Sequence, residues 1–156
     1  MHTINWSHKN SMRLSRVMVI LFAVALVALD IFAQDVTVYL SGRLLGQYGI
    51  GLGEGLVFMG TLYICSLPGY VLLYSLYRLL GNLEGGQVFI PQNIAYLRRS
   101  SWCCVMVAVV CMVGIPTYPS FAIVTVAAGF MALIIRIIKN VFEQAILMKD
   151  ELDFTV

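Results

Sequence analysis

Apolar residues fall into four long runs along this chain, and shorter segments rich in glycine, proline or charged residues separate the runs. A hydrocarbon core about 30 Å thick is crossed by roughly 20 helical residues. Each run reaches about that length once its flanking residues are included. The pattern therefore predicts four membrane-spanning helices at about residues 14–36, 55–80, 100–116 and 120–140.

The composition agrees with this prediction and excludes other classes of protein. The 156-residue chain is 60% hydrophobic and 12% charged, whereas about a quarter of the residues in a soluble domain are charged. A soluble enzyme, a disordered tail and a secreted disulfide scaffold are thus excluded. Pro116 and Pro119 predict a tight reversal between the last two spans. We expect an all-α membrane protein with one domain, residues 1–156, in which four transmembrane helices form an up-down bundle.

The basic residues predict the orientation, because cytoplasmic segments of membrane proteins carry an excess of lysine and arginine. Arg43 lies in the predicted outer loop between the first two spans. The other nine basic residues fall on the opposite side: Lys9, Arg13, Arg16, Arg78, Arg98, Arg99, Arg136, Lys139 and Lys149. Both termini, the loop at 81–100 and the segment 139–156 are therefore expected in the cytoplasm.

Two features of the first two spans are candidates for chemistry. Asp30 is an acid within a span, about 21 Å from Arg16 along the helix, and an ionisable residue there is a functional candidate by default. Alternatively, Asp30 bonds a hydroxyl on a neighbouring helix or reaches interfacial water. Pro68 predicts a kink in span two. A stripe of tyrosines beside it indicates helix packing or a ligand cavity: Tyr63, Tyr70, Tyr74 and Tyr77.

The segments between and after the last spans predict helices on the cytoplasmic side. Pro91 suits the first turn of a short helix that leads into span three, with Arg98 and Arg99 at the level of anionic headgroups and Trp102 as an interfacial anchor. Past Ile138, apolar and polar residues alternate at helical spacing. The last helix therefore extends into the cytoplasm by about 15–18 Å.

The same two segments resemble a known family. Residues 86–98 are similar to a G-x-P-F-T-x-E-N-x-x-x-L-R loop, and residues 147–156 are similar to a terminal E-N-D-L-T-(I/V) signature, both of a family of small four-span bacterial membrane proteins of unknown function. Ile90 stands where the family has a capping threonine, so the loop helix relies on Pro91. The resemblance implies a multi-pass protein of the bacterial inner membrane. Members are often encoded beside a small helix-turn-helix regulator, which implies membrane-bound control of a transcription factor.

We interpret the chain first as a non-enzymatic membrane regulator whose cytoplasmic loop and tail bind a soluble partner, a helix-turn-helix transcription regulator. Leu152 and Phe154 are large apolar residues in an acidic tail and need a groove in this protein or in the partner. The predicted partner-binding residues are Phe89, Asn93, Leu97, Arg98, Phe142, Glu151, Leu152, Asp153 and Phe154.

The alternative hypothesis is a small transport or channel component that uses Asp30 and the kinked second span, and it requires oligomerisation or a larger assembly. A membrane enzyme lacks support, because no nucleophile–base pair or paired carboxylates occur. Neither a cofactor nor a metal is expected, and the four cysteines are interpreted as small buried hydrophobes. The expected partners are membrane lipid and the soluble protein. A net charge of +2 gives no reason to expect direct nucleic-acid binding. Self-association is left open.

Overall fold

The computed structural model describes residues 3–44 and 52–153. Helices and their connections account for the described residues, and no strand occurs among them. The helices are α1 (Thr3–Ile31), α2 (Ala33–Leu44), α3 (Leu52–Glu84), α4 (Pro91–Gly114) and α5 (Phe121–Asp153). Within α1, α3, α4 and α5 lie four stretches that are long and apolar enough to span a membrane. The predicted all-α membrane fold with four spanning helices is confirmed.

The helix that contains the first span differs from the prediction at both of its ends. Helix α1 begins at Thr3, well ahead of the apolar run. At its other end Phe32 interrupts the helix, and the predicted outer loop begins with α2 instead. The hydroxyl of Thr37 donates a hydrogen bond of 2.6 Å to the carbonyl of Ala33 inside α2, and neither proline nor glycine interrupts the residues before Gly42. The rest of the outer loop, residues 45–51, lies outside the described residues.

Helix α4 joins the predicted loop helix and span three into one element. Its N-cap, Ile90, is extended, with φ −124° and ψ 145°, and makes no side-chain capping bond. Pro91 occupies the first turn, where its fixed φ suits a helix and its missing N–H costs nothing. Gly86 has a φ of 75°, the left-handed conformation that glycine adopts after a helix end. Together Gly86 and Pro91 determine where α3 ends and α4 begins.

The end of the bundle at residues 115–120, here called the turn end, holds an aromatic core. The N–H groups of Thr117 and Tyr118 donate to the carbonyl of Gly114, which reverses the chain. The ring of Phe58 from α3 lies 5.1 Å from that of Tyr118 and 5.5 Å from that of Phe121. Three helices therefore meet around the turn between α4 and α5.

Helix α4 is central, because its backbone approaches both α3 and α5 closely. It bonds to α5 through the hydroxyl of Ser101, which donates to the carbonyl of Ala132. On the other side, the sulfur atoms of Cys65 and Cys111 lie 3.9 Å apart between α3 and α4. Among the described helices, α1 approaches only α3 and α2 in this way.

The last residue of α4 provides a test of the turn-end packing. A Cβ atom at Gly114 would lie 2.6 Å from Cδ2 of the buried Phe121 ring. We expect Gly114→Ala to lower the free energy of unfolding by about 1–3 kcal/mol, because the ring has to move. Equilibrium unfolding in mixed micelles measures this loss. Gly129→Ala in α5 is the control, since no atom lies within 4 Å of its added Cβ. Equal losses in the two variants would contradict the packing described.

Candidate functional site

The opposite end of the bundle, here called the loop end, comprises residues 81–99 and 136–153 and carries most of the predicted site. Asn93 is its central residue and is 0% exposed. Its amide nitrogen donates to the carbonyls of Gln87 and Val88, both at 2.8 Å. Its amide oxygen accepts a bond of 2.8 Å from Asn82 at the end of α3. One buried side chain thus ties the loop to both helices that flank it.

Two of the predicted partner-binding residues, Asn93 and Leu97, are buried in this structure. Asn93 uses its amide within the loop, and Leu97, one turn later, is 6% exposed. Asn93 therefore exposes none of its surface, and Leu97 exposes little. Both residues pack beneath the surface of the loop end. Asn82, which the sequence analysis did not identify, bonds to Asn93 and belongs to the same group. The signal that could have identified Asn82 is its position three residues before the Gly85-Gly86 break, as a second asparagine near the loop in addition to Asn93.

Phe89 and Arg98, also predicted to bind a partner, lie at the surface and connect to α5. The Phe89 ring is half-exposed and lies 6.1 Å from the ring of Phe142. A guanidinium nitrogen of Arg98 lies 3.5 Å from a carboxylate oxygen of Glu143, whose other oxygen is 2.8 Å from the ammonium of Lys139. The Lys139 hydrogen bond and the charges of Lys139 and Arg98 hold the pKa of the Glu143 carboxyl below its ordinary value.

An open groove of about 610 Å³ lies beside these contacts. Helix α4 supplies almost all of its lining, and Glu143 adds the edge from α5. The groove contains two guanidinium groups above an apolar floor. The residues of α4 that line it are Pro91, Ile94, Ala95, Arg98, Arg99 and Trp102.

The distal part of α5 carries the predicted tail residues. Glu151 and Leu152 lie in the helix with exposed side chains, and Leu152 is 69% exposed. Asp153 is its last residue. Phe154 lies outside the described residues. Near Glu151, a shallow depression of about 240 Å³ is lined by Gln144, Leu147, Met148 and Glu151.

The intramembrane candidate, Asp30, joins α1 to α3. The hydroxyl of Tyr70 donates to one carboxylate oxygen at 2.8 Å, and the hydroxyl of Tyr63 donates to the backbone carbonyl of Asp30 at 3.2 Å. This agrees with the alternative in which Asp30 bonds hydroxyls on a neighbouring helix. The other carboxylate oxygen is buried and has no hydrogen-bond partner among the described residues. Helix α3 continues through Pro68, which has no N–H to bond the preceding turn.

A second polar contact joins the same two helices near the loop end. Arg16 of α1 forms an ion pair of 2.9 Å with Glu84, and its guanidinium lies 4.7 Å from the centre of the Tyr77 ring. Polar contacts at Arg16 and at Asp30 therefore hold α1 against α3.

The Tyr70–Asp30 bond can be tested with a double-mutant cycle. We expect Tyr70→Phe to lower the free energy of unfolding by about 0.5–1.5 kcal/mol, the net value of one hydrogen bond. In an Asp30→Leu background the same change should cost little, because the acceptor is already gone. Unfolding in mixed micelles gives the four free energies, with Tyr74→Phe as the control at an exposed tyrosine of the same helix. An equal cost in both backgrounds would show that the bond contributes nothing.

Replacing Asn93 tests the loop network. Asn93→Leu should destabilise the protein by about 2–3 kcal/mol or more, since it leaves buried groups without partners. It should also speed chymotrypsin cleavage at Phe89, because the loop loses its anchor. Gln92→Leu is the matched control at the exposed neighbouring position. If the two variants are cleaved at the same rate, Asn93 does not hold the loop.

Comparisons with known proteins agree with a membrane protein of this kind. The uncharacterized membrane protein YoaS of Bacillus subtilis (strain 168) is 23% identical to this chain in a match over 154 residues. The match covers 90% of this chain and 94% of YoaS. No solved structure matches the chain significantly. A family described as protein of unknown function (DUF2975) matches residues 53–156, a segment that contains α4, α5 and all of α3 except its first residue. Because this match covers more than half of the chain, the protein belongs to the DUF2975 family of proteins of unknown function.

Proposed function

We propose that this protein is a non-enzymatic membrane regulator whose cytoplasmic face binds a soluble protein, a helix-turn-helix transcription regulator. The observation that carries the proposal is the exposed apolar side of α5 beyond the basic boundary at Arg136 and Lys139. Helix α5 continues there to Asp153 without interruption.

The exposed side consists of Val141, Met148 and Leu152, here called the α5 stripe. Their spacings of seven and four residues place them on one side of a helix, and all three are exposed. The side chains of Phe142 and Glu143 contact Phe89 and Arg98 on the other side. The stripe is therefore turned away from the rest of the loop end.

A partner gains binding energy by covering the stripe. Burying one large apolar side chain contributes about 1.5–3 kcal/mol. An amphipathic helix or an apolar groove on a soluble protein provides the complementary surface. The resemblance to four-span proteins encoded beside helix-turn-helix regulators supports this class of partner. The Asn93 network would present the neighbouring loop in one conformation, which lowers the entropy lost on binding.

A second candidate function, in a small transport component, is supported by one observation. Asp30 has a buried carboxylate oxygen without a hydrogen-bond partner among the described residues, and acids within spans mark many ion and proton pathways. Asp30→Asn separates the two functions, because it retains the shape of the side chain and removes its charge. An ion flux that is lost in Asp30→Asn would favour transport, whereas the regulator needs only the hydrogen bonds that asparagine keeps.

Photo-crosslinking in intact cells tests the regulator. A crosslinking amino acid at Leu152 should capture a soluble DNA-binding protein, whereas one at Val126, on an exposed face of the spanning part of α5, should not. Truncation after Met148 should reduce binding of the captured protein by tens-fold or more, since it removes Leu152 from the stripe. A cysteine at position 152 should resist an impermeant thiol reagent, as the cytoplasmic placement requires.

Other products would contradict the proposal. Crosslinking of a transporter subunit from position 152 would favour transport instead. Equal crosslinking of one protein from positions 152 and 126 would show that the stripe is not a specific surface.

A further inference from the structure

We propose that the groove along the first turns of α4 is a binding site for an anionic phospholipid. Arg98 and Arg99 hold the phosphodiester of the headgroup, and Trp102 contacts the glycerol and the first part of an acyl chain. This site is separate from the α5 stripe and does not depend on the regulator proposal, because α4 supplies its lining.

The groove lies where the apolar part of α4 begins. Trp102 is 57% exposed, and exposed indoles are enriched at the level of the headgroups, where one end of the ring is wet and the other is apolar. Arg98 and Arg99 precede Trp102 by four and three residues, so the three side chains are neighbours on the helix surface. The groove therefore reaches the depth at which lipid phosphates lie.

The charges in the groove favour an anion. Two guanidinium groups and one carboxylate line it, and the closer partner of that carboxylate, Glu143, is the ammonium of Lys139 at 2.8 Å. The contact between Arg98 and Glu143 is longer, at 3.5 Å, and the Arg98 side chain is 61% exposed. A guanidinium has five N–H donors, so the one contact to Glu143 leaves donors for a phosphate. Arg98, Arg99 and Lys139 are positively charged and Glu143 is negatively charged, so the site has a net positive charge.

The rest of the lining distinguishes a lipid from a soluble phosphate. Pro91, Ile94 and Ala95 form an apolar floor beside the guanidinium groups, and a small inorganic anion gains nothing from it. The volume of about 610 Å³ lies within the range of pockets that bind small molecules. An anionic headgroup with its glycerol uses both the charged and the apolar parts.

Native mass spectrometry of the full-length protein tests the site. The protein is equilibrated with micelles that contain equal amounts of phosphatidylglycerol and phosphatidylcholine, and the retained lipid is identified. We expect phosphatidylglycerol to be retained in preference, and Arg98→Gln with Arg99→Gln to reduce its retention by about tenfold. Arg136→Gln is the control, because this exposed arginine of α5 does not line the groove, and it should leave retention unchanged.

A second variant keeps the test decisive if the double variant fails to fold. Ala95 is exposed in the groove, so Ala95→Trp fills the groove and leaves every charge in place. It should also reduce the retention of phosphatidylglycerol. Unchanged retention in Ala95→Trp, or an equal reduction in Arg136→Gln, would overturn the proposal.

Competition separates a lipid from a soluble ligand. Glycerophosphoglycerol, which has the headgroup without acyl chains, should displace the lipid only weakly. Displacement by glycerophosphoglycerol or by inorganic phosphate at millimolar concentration would assign the groove to a soluble anion and overturn the lipid site. Equal retention of phosphatidylcholine would overturn the anionic specificity.

Discussion

The close approach of α4 to its two neighbours is the contact on which the remaining packing depends. Apolar burial gives little drive for association between helices in lipid, so small side chains that allow close van der Waals contact become decisive. Helix α4 has such a surface. Its buried residues are mainly small: Asn93, Leu97, Ser100, Ser101, Cys103, Cys104, Cys111 and Gly114. The cysteines among them occupy positions where a larger side chain would push the helices apart.

Helix α1 is held differently from the other spanning helices. It is joined to α3 by polar contacts at Arg16 and Asp30, among them the Arg16–Glu84 ion pair and the Tyr70–Asp30 hydrogen bond, and Leu26 lies beside Gly69. The segment that the family shares with this chain, residues 53–156, covers the closely packed helices α3 to α5 except for the first residue of α3. The family match thus coincides with the part of the fold that small residues hold together.

The sequence predicts the spanning helices well because their signal is local. Hydropathy over some 20 residues identifies each span, and Pro91 identifies the start of α4 without knowledge of any neighbour. The role of Asn93 could not be predicted in this way. In the sequence it is a polar residue in a loop motif, and its burial depends on Asn82 of another helix and on two carbonyls of the loop. The helical part of the outer segment, α2, was missed because it is short and less apolar than the spanning helices.

The continuity of α5 has a mechanical consequence. A helix of 33 residues is about 50 Å long at a rise of 1.5 Å per residue, and its spanning and projecting parts rotate together as one lever. Phe89 of the loop contacts the helix at Phe142, and α5 continues from there to Asp153. A change of 10° in tilt about this contact displaces the end of the helix by about 3 Å, at a distance of roughly 15–18 Å along α5. Since helices respond to bilayer thickness by tilting, a bilayer that changes the tilt of α5 also displaces the α5 stripe at its end.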